Sequence, residues 1–158
     1  MVIFLHGGIC NMVSDQSEKR YIDIGVGALV GDDEGRLLLV RHKVERGGFW
    51  QGRWILPGGM LKVGEELDSG ILREVKEETG LDVRLDPGTP VVTERIVEDE
   101  KGVGLHVIYV VKRGFVTGGE LKPASDVGEA IWVSDLDDVK DELHEDTAEI
   151  LRRLGLMV

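Results

Sequence analysis

Leu67, Ile71 and Val75 recur one helical turn apart, with Leu72 widening the stripe. That spacing predicts an amphipathic helix with one buried face. Gly80 stands where a glycine just past the last turn would end it, and Glu65 and Glu66 fall near its positive N-terminal end. Around this helix the pattern changes to strand-like runs. Residues 21–30 and 36–42 read as two strands, the second apolar at Leu37, Leu38, Leu39 and Val40, joined by a turn at Asp32, Asp33, Glu34 and Gly35. Residues 53–56 read as a short strand stopped by Pro57. Beyond the helix, residues 83–85 and 91–97 are strand-like, with Asp86, Pro87 and Gly88 between them as a turn. A polar hairpin turn is expected at 98–102 and a β-branched strand at 105–112. Residues 113–128, broken by glycines and Pro123, read as a loop; 130–133 reads as a last strand. Leu136, Val139, Leu143, Ile150, Leu151 and Leu154 predict one or two C-terminal helices.

Strands interspersed with helices predict an α/β layer fold. Residues 1–20 are poorly patterned and form an N-terminal extension, and 21–158 read as a single domain without repeat or linker. A chain of 158 residues is long enough to bury one sizeable core, and 42% apolar with 31% charged residues suits a folded soluble protein. No apolar run approaches a membrane span, and the short run from Val2 to Leu5 has no basic segment before it. Cys10 is alone, so a reducing cytoplasm is the expected location; His6, four residues before it, does not make a metal site with it. The net charge of −11, from 30 acidic against 19 basic residues, argues against a nucleic-acid partner. It leaves open a small phosphorylated substrate, because a bound cation supplies local positive charge.

The polar side of the predicted helix carries the chemistry. Glu74, Glu77 and Glu78 lie at i, i+3 and i+4, so they share a face, and like charges that close repel unless a cation binds them together. Hard oxygen ligands suit Mg²⁺, Mn²⁺ or Ca²⁺. Arg73 is placed four residues before Glu77 to pair with it. Gly70 lies between the acids, and the space it leaves is expected to admit ligand or metal. Residues 59–81 as a whole read G-x5-E-x7-R-E-U-x-E-E-x-G-U, U being a bulky aliphatic, with Gly59, Glu65, Arg73, Glu74, Val75, Glu77, Glu78, Gly80 and Leu81 filling every specified position. This segment resembles the Nudix box, the signature of the Nudix hydrolases. Pro57, Gly58 and Gly59 ahead of it, and Gly118–Leu121 and Glu129–Val133 after it, are similar to family features as well.

The resemblance implies an α/β/α sandwich with a mixed β-sheet, and hydrolysis of a phosphoanhydride in a nucleoside diphosphate linked to another moiety X. Such a bond resists water because its own charge repels the nucleophile; divalent cations neutralise that charge, orient the phosphates and acidify bound water. Carried over by position, Glu77 and Glu78 are metal ligands, Glu74 is a further ligand or the base, and the Gly58 carbonyl is an additional ligand. Arg73 orients carboxylates, and Glu65 pairs with Arg73. Glu129, Asp126 and Glu120 are candidates for an extra base or ligand from outside the box. Mg²⁺ is the expected cofactor, with Mn²⁺ as substitute.

Substrate contacts are sought outside the box. Arg41, Lys43, Arg46 and Arg53 surround a glycine-rich loop at 47–52; arginines there could grip phosphates, and Phe49, Trp50 or Trp54 could stack on a base, although Trp54 on its strand equally suits the core. His106 resembles a family pocket position and should face the opposite side of its strand from Tyr109. A proline marker of ADP-ribose hydrolases is absent near Val97, as are a tyrosine marker of dinucleoside polyphosphate hydrolases and the coenzyme A pattern. ADP-ribose or a nucleotide sugar is the leading expectation, giving a nucleoside monophosphate and phosphorylated X. A nucleotide-sanitising (d)NTP pyrophosphatase is the alternative, and a non-catalytic nucleotide-binding module is a third reading that the intact box opposes. The resemblance also points to a homodimer.

Overall fold

The computed structural model describes residues 21–48, 50–98 and 104–158. The readings made for residues 1–20, for Phe49 and for the tip of the 98–102 turn lie outside them. The strands are β1 (Tyr21–Gly31), β2 (Leu37–His42), β3 (Gly58–Met60), β4 (Leu81–Leu85), β5 (Val91–Glu98), β6 (Gly104–Gly119) and β7 (Val127–Val133); the helices are α1 (Leu67–Thr79) and α2 (Glu145–Arg153). They form one mixed sheet in the order β4-β6-β1-β2-β7, with β3 against β1 and β5 against β6. The β1–β6 pair is parallel, and the other pairs are antiparallel.

Alternation along β1 and β2 supplies two apolar faces. Val26, Ala28, Val30 and Leu38 turn toward α1 and meet Ile71 and Val75, both at 0% exposure. Leu29 and Leu39 turn the other way and meet Ile150 and Leu151 of α2. Burying each of these aliphatic side chains contributes about 1.5–3 kcal/mol, and the result is the α/β/α layering expected of the fold. Gly80 closes α1 in the left-handed conformation, φ 75°, with its N–H on the Lys76 carbonyl. Leu72 departs from the stripe assigned to it: it is 38% exposed, because Ile71 already points straight at the sheet.

Two further expectations are corrected. Residues 113–119 are not loop; β6 runs 16 residues, as far as Gly119. There β6 is held on one edge by β1 and on the other by β4, and these ladders override the weak strand preference of Gly114 and Gly118. Residues 53–56 are not a strand. Trp54 and Ile55 make isolated bridges to Leu143 and Val40, while the paired strand is β3, in the glycines read as a turn. At the C-terminus the expected one or two helices are one, α2, preceded by 3₁₀ turns at Leu136–Asp138 and Lys140–Glu142.

Candidate active site

β3 joins the carboxylates of α1 to the sheet. Its residues Gly58, Gly59 and Met60 pair with Gly27, Val26 and Gly25 of β1. Both β3 glycines are spatial requirements. A Cβ on Gly59 would come 2.5 Å from the carboxylate carbon of Glu74, and one on Gly58 would come 2.7 Å from Cα of Gly27. The bare backbone therefore lets Glu74 lie against Gly59 and lets Glu78 reach Gly58, whose N–H donates to Glu78 Oε2 at 2.9 Å.

Arg73 holds the other side of the patch. It donates to both oxygens of Glu65, at 2.6 and 2.9 Å, to Glu74 Oε1 at 2.6 Å and to the Met60 carbonyl at 3.2 Å. The expected contact to Glu77 is the longest of its carboxylate contacts, at 3.4 Å, and Glu77 stays half exposed. Glu74 and Glu78 thus turn in toward β3 while Glu77 faces solvent. The Arg73 guanidinium holds Glu65 down at about 2, well below the usual carboxylate range. Gly70 admits no ligand. A Cβ there would meet Leu61 Cδ1 at 2.6 Å and Glu65 Oε2 at 3.1 Å, so the space serves the approach of the segment before α1.

Glu78 is 2% exposed. Burial pushes its carboxyl up, against His42 and the Gly58 N–H, which pull it down. His42 ends β2, where the ladder with β7 shifts register between Arg41 and His42; bulges of this kind re-aim side chains. Its Nε2 stands 3.5 Å from Glu78 Oε1 and, although buried, makes no hydrogen bond. Its Nδ1 accepts from Arg46 Nη1 at 2.6 Å, and Arg46 Nε is paired with Asp126. The loop bearing Asp126 caps α1: Lys122 N–H donates to the Thr79 carbonyl and Ala124 N–H to that of Glu78, satisfying carbonyls that the helix end leaves free.

His42, Glu78 and Asp126 bring ligand-type atoms within 4.8 Å of one another. With Glu74 and Glu77 on the same helix as Glu78, and Asp126 beside it, the oxygen donors are carboxylates, with the His42 imidazole packed against Glu78. This set fits a hard divalent cation. Such an ion supplies charge neutralisation for phosphates and acidification of water. The chain itself contributes the fixed carboxylates, and Arg73, which orients Glu65 and Glu74 beside them.

Beside the patch lies a cavity, partly open to solvent, whose wall includes Gly58–Met60. Trp50, Ile55, Val107 and Tyr109 give it aromatic and aliphatic surface; Arg46 lies at one side, and Arg95, Asp146 and Thr147 close another. Tyr109 fits because Gly25 and Gly27 leave room: a Cβ on Gly27 would meet its Oη at 2.7 Å. Burial, with Glu78 adding to it, pushes its phenol up, so it is a protonated donor. Arg95 donates to Asp146 Oδ1 at 2.6 Å and to Glu145 Oε2 at 2.9 Å.

Of the residues picked out for substrate, Trp50 lines this cavity. Trp54 is in the core at 5% exposure, with Arg41 stacked 4.0 Å over its ring and paired to Glu142 at 2.6 Å. Arg53 is exposed and donates to the Asp141 carbonyl. His106 pairs with Glu94 at 3.1 Å, whereas Tyr109 turns into the cavity. Of the carboxylates outside the box, Asp126 joins His42 and Glu78. Glu129 is exposed in β7 opposite Arg41, and Glu120 is exposed beyond β6. Sequence reasoning missed His42, Arg95, Asp146 and Thr147. A histidine two positions past Val40 in a buried strand was a readable signal for the first; the rest come together only through the packing of α2 on β5.

The NUDIX domain family model matches residues 22–154. An ADP-ribose pyrophosphatase of Methanocaldococcus jannaschii is 34% identical over 99 residues, 63% of this chain and 54% of that protein. A nucleoside triphosphatase NudI of Escherichia coli is 28% identical over 130 residues, 79% of this chain and 92% of that one. The crystal structure of a MutT protein from Methanosarcina mazei Go1 superposes with a TM-score of 0.71 at 27% identity, covering 88% of this chain and 96% of its own. Proteins of this family use divalent metal ions and act on small nucleotides. With its box intact, its carboxylates gathered on β3 and the family match running through nearly all the described residues, the chain belongs to the Nudix family and is a Nudix hydrolase.

Proposed function

We propose that this hydrolase, with Mg²⁺ bound or Mn²⁺ in its place, cleaves the phosphoanhydride of ADP-ribose or a nucleotide sugar. The products are a nucleoside monophosphate and the phosphorylated second moiety. The observation that carries this reading is the shared wall. Gly58–Met60 border both the carboxylate patch and a cleft lined by Trp50, Ile55, Val107 and Tyr109, whose aromatic and aliphatic surface suits a base or sugar beyond the phosphates. A base or sugar would enter between Trp50 and Tyr109 while the diphosphate lies over Glu74, Glu77 and Glu78. Glu77, Glu78 and the Gly58 carbonyl act as ligands, Glu74 as a ligand or the base, and Arg73 orients them. The M. jannaschii relative named for ADP-ribose supports this choice of substrate.

Action on nucleoside triphosphates is the second reading, favoured by the NudI relative, 92% of whose length the chain covers. Lone Cys10 fits action in a reducing cytoplasm, and residues 21–158 are taken as one catalytic unit. A homodimer is part of the proposal; removal of residues 1–20 without change in solution mass would exclude a role for them in it.

Product analysis separates the two activities. AMP plus ribose phosphate from ADP-ribose supports the first reading. Pyrophosphate plus monophosphate from (d)NTPs, with ADP-ribose untouched, replaces it with the second.

A further inference from the structure

We infer that His42 and Arg46 are positioning residues for Glu78: Arg46 fixes the imidazole tautomer, and His42 presents an N–H, not a metal-binding lone pair, to the carboxylate. The inference rests on Glu78 being a metal ligand. Arg46 Nη1 stands 2.6 Å from His42 Nδ1. A guanidinium has only donors, so Nδ1 must accept, and the ring proton sits on Nε2. That nitrogen is buried, has no hydrogen bond and stands 3.5 Å from Glu78 Oε1. A protonated ring nitrogen cannot ligate a metal, so His42 is excluded from the ligand set while this contact lasts. It is suited to hold a carboxylate that does ligate, the role outer partners play at metal sites. Long contacts of this kind tighten when the site fills.

The two oxygens of Glu78 are thereby addressed from separate elements. Gly58 N–H holds Oε2 from β3, and His42 faces Oε1 from β2. The chain of contacts then closes on itself. Asp126 anchors Arg46 through Nε, and two residues earlier Ala124 N–H donates to the main-chain carbonyl of Glu78. Side chain and backbone of one residue are therefore tied together through His42, Arg46, Asp126 and the capping loop. Arg46 also lines the cavity, so the same guanidinium borders substrate space and the far end of this tie.

Two measurements on the full chain test this. The first is the long-range ¹H–¹⁵N imidazole spectrum of metal-free wild type, with the His42 signals assigned by their loss in His42→Gln. The second is Mn²⁺ affinity by calorimetry for wild type, His42→Gln and His42→Leu, with thermal melts to confirm folding. The expected results are the Nε2–H tautomer, a His42→Gln affinity within about threefold of wild type because the amide restores a donor near Nε2, and a loss of about 10–100-fold in His42→Leu. An Nδ1–H tautomer in wild type would overturn the inference without reliance on any variant. So would equal losses in both variants, which would mark His42 as a ligand, or no loss in His42→Leu. Wild type that binds no Mn²⁺ would instead overturn the metal-site reading beneath it.

Discussion

The Gly58 N–H donates to Glu78 Oε2 at 2.9 Å, so the short strand before α1 grips a carboxylate almost at the helix's far end. The contact requires a bare α-carbon. A Cβ on Gly58 would press on the β1 backbone, 2.7 Å from Cα of Gly27, and come 3.0 Å from Tyr109 Oη. Gly58→Ala should therefore cost about 1–3 kcal/mol, a Tm drop of about 2–12 °C, with turnover falling further than stability explains. A variant with unchanged Tm and rate would refute the packing described for β3.

Burial raises the Glu78 carboxyl above its ordinary value. The native state then binds that proton more tightly than the unfolded chain. Its contribution to stability is present at low pH and is lost as pH rises through the folded pKa. A divalent ion should offset that loss: at about one hundred times its Kd it adds about 2.7 kcal/mol. Because protons compete for the same oxygens, the Tm gain on adding Mn²⁺ should be large near pH 8 and shrink toward pH 5, above the range in which an ordinary glutamate, at about 4.3, titrates. Melting curves with and without Mn²⁺ across this range check it; a gain independent of pH would count against Glu78 as a ligand.

Glu65 shows the opposite sign. Arg73 holds it at about 2, below the value of about 4.3 in an unfolded chain. The Arg73–Glu65 pair therefore stabilises fully above the unfolded value and is lost as pH falls through the folded one. The Tm difference between wild type and Glu65→Gln should be constant from neutral pH down to about 4.5 and close as pH approaches about 2. A difference that grows on acidification would reverse the assignment.

The two tryptophans that bracket Arg53 should separate cleanly. Trp54 is 5% exposed in the core, and Trp54→Ala should cost about 3–5 kcal/mol. Trp50 lines the cavity beside the carboxylates. Trp50→Ala should leave Tm within a few degrees and raise KM by about 5–150-fold, the loss of about 1–3 kcal/mol of base stacking. Thermal melts and steady-state kinetics on the pair decide this, and equal effects of the two on KM would contradict the placement of the cavity.

The α1 stripe was legible because Leu67, Ile71 and Val75 obey one period, and its C-terminus because Gly80 alone among nearby residues takes the left-handed conformation cheaply. The acidic cluster was legible as types and spacings, but its directions were not. The turn of Glu74 and Glu78 toward β3 depends on two glycines whose value is the backbone they let approach, and local propensity reads such glycines as a turn. The extension of β6 through Gly114 to Gly119 was hidden for a related reason: its stability comes from β1 and β4, distant in sequence. His42 and Asp126 meet Glu78 only after a bulge in β2 and a loop capping α1, long-range events that no single window encodes. Arginines near the 47–52 loop were visible as charge, but whether each faces ligand was decided by partners far away: Glu142 takes Arg41, and His42 and Asp126 take Arg46.

The central claim is that the carboxylates gathered on β3 hold the divalent ion that hydrolysis requires. Its most direct test is the rate of ADP-ribose and (d)NTP hydrolysis by wild type and Glu78→Gln, first with a chelator and then across a Mg²⁺ titration. Wild-type turnover should vanish in chelator and return with Mg²⁺, while Glu78→Gln stays at least about 100-fold slower at saturating Mg²⁺. Undiminished wild-type turnover in chelator, or Glu78→Gln matching wild type, would contradict it.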